Sequence, residues 1–237
     1  MKYLVTSGCS FTAYERCWPY RLVEQLGKIN YTLINDAEGS SGNAMIHRRI
    51  IYQVGKLLAQ GIDKDDILVG VMWSGANRHN IHDEKIERIG KDDVNPYYWP
   101  EEGGRGAWEI FCATNSSRKV MWYYQHVFSY YQSVLETYEY INHLQNYLQM
   151  KDVKYFMCPY MDGWDYEGFH DNDDPYIRML VDSIDYSKWP TKQGQWEWVK
   201  ENYANLKLAN PKHPGPEQNN LWVEKVIIPW LKENNYV

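Results

Sequence analysis

Apolar residues recur along this chain in two rhythms. Short, dense apolar runs at 2–7 (KYLVTS), 31–35 (YTLIN), 66–73 (DILVGVMW) and 153–158 (VKYFMC) read as strands, the last ended by Pro159. The run at 66–73 is almost continuously apolar, as a central parallel strand covered on both faces has to be. Between these runs the spacing turns helical. Residues 19–27 put Leu22, Val23 and Leu26 on one side, and 44–60 put Ile46, Ile50, Val54, Leu57 and Leu58 on one side, with Asn43 placed as the cap. A long helix is expected over about 119–149, with the stripe Val127, Tyr130, Val134, Tyr138, Ile141, Leu144 and Leu148. Pro216 opens a last helix, with Leu221, Val226 (or Ile227) and Trp230 expected toward the core.

Strands alternating with helices imply a parallel sheet with helices on both faces. The expected fold is therefore α/β, a three-layer α/β/α sandwich with a flavodoxin-like parallel sheet of about five strands, forming a single domain over 1–237. Two stretches, 78–118 and 160–205, lack clear periodicity and read as insertions. Ligands of such sheets sit at the carboxyl ends of the strands. Four loops there carry unusual residues: Gly8–Thr12, Glu38–Asn43, Ser74–Arg78 and Asn210–Gly215.

Charge removes some functions. A net charge of −6 with no run of Lys or Arg offers no basic face for nucleic acid. No apolar run is long enough to span a bilayer, and the first residues read as a strand rather than a signal peptide, so a cytoplasmic location is expected. Cys9, Cys17, Cys112 and Cys158 are scattered without CxxC spacing and read as reduced thiols.

Acyl transfer needs a hydroxyl nucleophile, a base within hydrogen-bond reach and donors aimed at the developing oxyanion. The four loops supply these residue types in the blocks GCSFT (8–12), EGSSGN (38–43), SGANR (74–78) and NPKHPG (210–215). In order and spacing the blocks resemble those of the SGNH (GDSL-like) hydrolases. The first block looks like that of compact bacterial or phage members. The resemblance implies a serine esterase with Ser10 as nucleophile and His213 as base, and an oxyanion hole made by the Ser10 N–H, Gly42 and Asn77. It implies no cofactor and no metal. The partner is a small-molecule or carbohydrate ester, with an O-acetylated sugar as the preferred class and possible virion association for a phage protein; it does not fix the oligomeric state. The elbow G-x-S-x-G of the α/β-hydrolases is absent.

Two positions depart from the family pattern. Cys9 stands where the family has Asp, and Asn210 stands where its catalytic Asp precedes the His. An Asn carbonyl can orient the imidazole but cannot stabilise its charged form, a loss of about 10⁴ in kcat in the serine-protease example. Asp36 and Glu38 are alternative sources of that charge. The competing reading is a catalytically weak or inactive binding or structural protein of the same fold, which Asn210 favours.

Other features read more plainly. Cys9 would point away from the site occupied by Ser10. His79, His82 and Asp83 read as a solvated loop rather than a metal site, as does Asp162–Asp174. Trp99, Trp108, Trp164, Trp189, Trp196 and Trp198 lie in the insertions, where their rings either stack on sugars or, the preferred reading, pin loops to the core.

Overall fold

The computed structural model describes residues 1–83, 98–100, 107–112, 115–163, 174–206, 208 and 213–237. In chain order the strands are β1 (Lys2–Ser7), β2 (Tyr31–Asn35), β3 (Ile67–Trp73), β4 (His79–Asp83), β5 (Tyr98–Pro100), β6 (Ala107–Phe111) and β7 (Lys154–Pro159). The helices are α1 (Ser10–Ala13), α2 (Trp18–Leu26), α3 (Asn43–Ala59), α4 (Arg118–His126), α5 (Tyr130–Met150), α6 (Pro175–Asp182), α7 (Gln195–Tyr203), α8 (Pro216–Trp222) and α9 (Ile228–Glu233).

The main sheet is parallel, in the order β2-β1-β3-β7. It has four strands among the described residues, one fewer than expected. After β7 the described chain turns to helices, because no apolar β-run follows Pro159. Alternation along β3 sends Val69, Val71 and Trp73 to one core, where they meet Ile46, Ile50 and Val54 of α3 and Val134, Tyr138 and Ile141 of α5. Leu68 and Met72 point to the other face and pack with Trp18 and Leu22 of α2 and with Trp222 of α8. Gly70 occupies that second face because a Cβ there would stand 2.7 Å from both Phe156 and Trp18, whose rings meet edge to face at 5.6 Å. The result is a three-layer sandwich whose two cores flank one sheet.

Several expectations are corrected. Asn43 is the first residue of α3 rather than its cap; Gly42 stands at the cap, and the Asn43 side chain is drawn into the protein instead. The long helix is two helices. Val127 and Phe128 both donate backbone N–H bonds to Tyr123 O, and Ser129 Oγ accepts the Gln132 N–H to start α5. Val127, expected in the buried stripe, is 53% exposed at this break. At the C-terminus the buried positions are Trp222, Val223, Ile227 and Leu231, so of the expected positions Ile227 faces the core while Leu221, Val226 and Trp230 are only partly buried. Residues 221–231 are apolar on nearly every side, and a π-helical turn at Val223–Ile227 breaks the period that would reveal the inward face.

The segment 78–118 holds an antiparallel sheet, β4-β6-β5, rather than irregular chain. Its strands are too short and too mixed to betray a period. His79, His82 and Asp83 thus lie on a strand. His79 Nε2 sits 3.2 Å from Ser133 Oγ, and Asp83 pairs with Lys119 at 2.8 Å. Asp174 caps α6 by accepting the N–H groups of Tyr176 and Ile177, and Asp162 accepts that of Gly194; the acidic residues between 164 and 173 lie outside the described ones. Among the described residues no cluster of three or more His, Cys, Asp or Glu is arranged for a metal ion, and no helix is long and apolar enough to cross a membrane. All four cysteines are buried and outside any disulfide.

Candidate active site

Ser10 leaves β1 through Gly8 and Cys9 and becomes the first residue of the short helix α1. Cys9 is buried in the α2-side core, so the alternation that hides its thiol turns Ser10 outward. The turn is held on all sides. Asn35 Nδ2 donates to Thr12 O, Trp18 Nε1 to Thr12 Oγ1, and Cys17 Sγ to Ser10 O. The N–H of a residue at this first position has no acceptor within its own helix.

His213 arrives from the opposite end of the sequence. Its Nε2 lies 2.7 Å from Ser10 Oγ, a short hydrogen bond across 203 residues of chain. The Phe11 ring packs on the imidazole with centroids 4.8 Å apart, fixing its plane. Burial, and then the charge of Arg78, hold the His213 pKa below the usual imidazole range, so the ring is neutral near pH 7 and can accept a proton.

The loop carrying His213 is locked by residues that sequence reasoning passed over. Asn219 donates from Nδ2 to Pro214 O and Gly215 O, and its Oδ1 accepts from Gln195. Gln218 Oε1 accepts the Gly215 N–H while its Nε2 donates to Tyr203 O. All three of these side chains are buried, with Gln195 and Gln218 at 0% exposure. The available signal was the amide-rich run Gln218–Asn220 right after the His-Pro-Gly block, polar residues at the start of a helix that has to pack inward.

A cavity of about 650 Å³ opens beside the pair, lined by Ser10, Phe11, Tyr14, Gly39, Ser40 and His213 among others. The second block therefore reaches the cavity through Gly39 and Ser40. Gly42, expected as an oxyanion donor, gives its N–H to Asn80 Oδ1 at 2.8 Å. It is packed so tightly against the third block that a Cβ would come within 2.2 Å of Arg78 O. Ser40 has φ of 64°, a left-handed conformation that favours glycine, and among the described residues its N–H has no protein acceptor. Asn77 accepts the Tyr124 hydroxyl at its backbone carbonyl, and its side-chain oxygen lies over Gly75. Asn210 lies outside the described residues.

The two substitute carboxylates have other partners. Asp36 binds Arg49 at 2.9 Å and Gln53 at 2.7 Å. Glu38 accepts the Gly39 N–H, and burial raises its pKa. Of the tryptophans, Trp189 is buried in one core, Trp196 and Trp198 pack against the other, and Trp108 lies under the Arg48 guanidinium at 4.3 Å. The side chain of Trp99 and the whole of Trp164 lie outside the described residues.

A four-stranded parallel sheet lies between two helical layers, with Ser10 after its first strand and His213 before its last helices. The crystal structure of TesA has the same fold. It aligns over 98% of this chain and 99% of its own at 12% identity, with a TM-score of 0.50. The psychrotrophic esterase EstA from Pseudoalteromonas sp., inhibited by monoethylphosphonate, aligns over 98% of this chain and 100% of its own at 12% identity and a TM-score of 0.48. The acetyl xylan esterase AlAXEase aligns over 94% and 96% at 14% identity and a TM-score of 0.42. By sequence the chain belongs to the family of unknown function DUF6071, whose model matches residues 7–237. No curated protein matches it.

Proposed function

We propose that this protein is a serine esterase that hydrolyses its substrate through Ser10 and His213. The observation that carries the reading is the 2.7 Å contact between Ser10 Oγ and His213 Nε2 at the edge of an open cavity. Ser10 Oγ attacks the ester carbonyl as its proton passes to Nε2, giving a tetrahedral oxyanion. Collapse expels the alcohol, which takes the proton from His213. Water, deprotonated by the same nitrogen, then releases the acid and restores Ser10. The lowered imidazole pKa supports this role, since the base has to be neutral to begin.

The oxyanion donors we assign are the Ser10 N–H, the Asn77 amide and the Ser40 N–H. Ser40 replaces Gly42 in this role because Gly42's N–H is committed to Asn80, whereas Ser40 lines the cavity. A small O-acyl ester of a carbohydrate suits a cavity with the aromatic side chains of Phe11 and Tyr14 in its wall.

The test is labelling by a fluorophosphonate probe, with the modified peptide identified by mass spectrometry in wild type, Ser10→Ala and His213→Ala. Labelling at Ser10 that requires His213 is the expected outcome. Folded wild-type protein that resists the probe would retire the esterase reading in favour of a binding protein of the same fold.

A further inference from the structure

The third block places a cation within electrostatic reach of His213 that the hydrolytic steps above do not use. Arg78 is half-buried, and its guanidinium lies 4.9 Å from the centroid of the Tyr160 ring. Its Nη1 donates to Ser74 Oγ at 3.0 Å. Tyr160 in turn meets Phe11 edge to face at 5.3 Å, and Phe11 packs on His213 at 4.8 Å. The guanidinium is close enough to His213 for its charge to depress the imidazole pKa.

The side-chain partners of Arg78 are a phenol ring, a hydroxyl and the neighbouring Cys9, with Cys112 also within electrostatic reach. Among the described residues no Asp or Glu pairs with it. Arg49 of α3, by contrast, pairs with the carboxylate of Asp36 at 2.9 Å. A guanidinium partly withdrawn from water with no carboxylate beside it is unfavourable, and its contacts hold the planar fork in one orientation without supplying a carboxylate. Such a group is completed by an anion, and one fork with five N–H donors matches one carboxylate in bidentate fashion.

We propose that Arg78 is a specificity-determining residue that grips a carboxylate on the ester substrate, so that the enzyme favours anionic esters over neutral ones. This rests on the esterase reading. With an acylated sugar as substrate, the class selected is an acidic sugar or an acyl group bearing a second, free carboxylate.

The experiment compares two carboxylate esters with neutral counterparts at pH 8, where His213 is neutral with or without Arg78. Mono-4-nitrophenyl succinate against 4-nitrophenyl butyrate places the charge on the acyl side, and 4-acetoxybenzoate against phenyl acetate places it on the alcohol side. In wild type, at least one carboxylate ester is expected to exceed its counterpart in kcat/KM by roughly tenfold or more, mainly through KM, the range of one charge-assisted pair. Arg78→Gln should collapse that ratio, and Arg78→Lys should retain part of it. No preference in wild type, or a Gln variant that depresses both esters of each pair equally, would overturn the proposal. Should Arg78→Gln fail to fold by circular dichroism, a ratio unchanged in Arg78→Lys overturns it instead. Fluorophosphonate labelling of the same wild-type preparation separates the two readings. A labelled Ser10 without preference sinks only the Arg78 assignment, and absent labelling sinks the esterase reading and this proposal with it.

Discussion

Replacing Asn43 with alanine should cost this protein about 3 kcal/mol of stability, although Asn43 touches neither Ser10 nor His213. Its amide grips the backbone at the end of β3. Oδ1 accepts the Ser74 N–H at 2.8 Å, and Nδ2 donates to Ser74 O at 2.9 Å and to Thr137 Oγ1 at 3.1 Å. Asn43 and Thr137 are each 2% exposed and Ser74 is fully buried, so water does not reach the groups that alanine would abandon. Each orphaned backbone group costs roughly 1–3 kcal/mol, and two are orphaned together. For a chain of this size, about 3 kcal/mol corresponds to a fall in Tm of roughly 6–12 °C. Asn43→Asp should be worse near neutral pH, because a carboxylate accepts from Ser74 N–H but faces Ser74 O without a proton; acidification should recover part of the loss. Urea and thermal unfolding followed by circular dichroism would measure both. A loss below about 1 kcal/mol for Asn43→Ala would show that the amide is not the tie between α3 and the third block.

Three further outcomes follow from the same geometry. The acid limb of hydrolysis or probe labelling should lie below pH 6.5, because burial and Arg78 lower the His213 pKa and the base acts only when deprotonated; a limb above 6.5 in the pH–rate profile would contradict this. Ser40→Gly should stabilise the fold by about 1 kcal/mol while retaining the backbone donor, since a non-glycine residue at φ of 64° carries strain; a destabilised or inactive glycine variant would refute the assignment. On α3 and α5, His47 Nε2 lies 2.7 Å from His143 Nδ1, and burial, then the neighbouring His143 and Arg48 side chains, lower the His47 pKa to about 4. A folded pKa below the unfolded value of about 6.5 means the unfolded chain binds more protons, so stability is intact above pH 6.5 and lost as pH falls toward 4. Thermal melts of wild type should show this slope, and His47→Gln should flatten it.

The strands of the main sheet were legible because each is a dense apolar run bounded by a turn, and β3, covered on both faces, left the clearest trace. Ser10 and His213 were legible as blocks in a particular order. The small sheet β4-β6-β5 was not, since strands of three to five residues with mixed side chains are stabilised by partners that sequence spacing does not reveal. The division between α4 and α5 escaped for a related reason: both flanks have good helical spacing, and the Phe128 ring that packs between Tyr124 and Tyr130 at the break finds its partners only in the fold.

By itself the sequence determined the alternation of strand and helix and the order in which Ser10, Asn77 and His213 follow one another in polar blocks. These are local properties, carried by hydrophobic period and turn chemistry. The tertiary structure decided what the individual groups do. It brought Ser10 to 2.7 Å from a histidine 203 residues away, spent the Gly42 N–H on Asn80 and turned Ser40 toward the cavity. It also set Arg78 within electrostatic reach of His213, against the Tyr160 ring and the Ser74 hydroxyl. A residue's hydrogen-bond partner and counter-charge are fixed by which elements pack together, and that packing is not written in the spacing of any one segment.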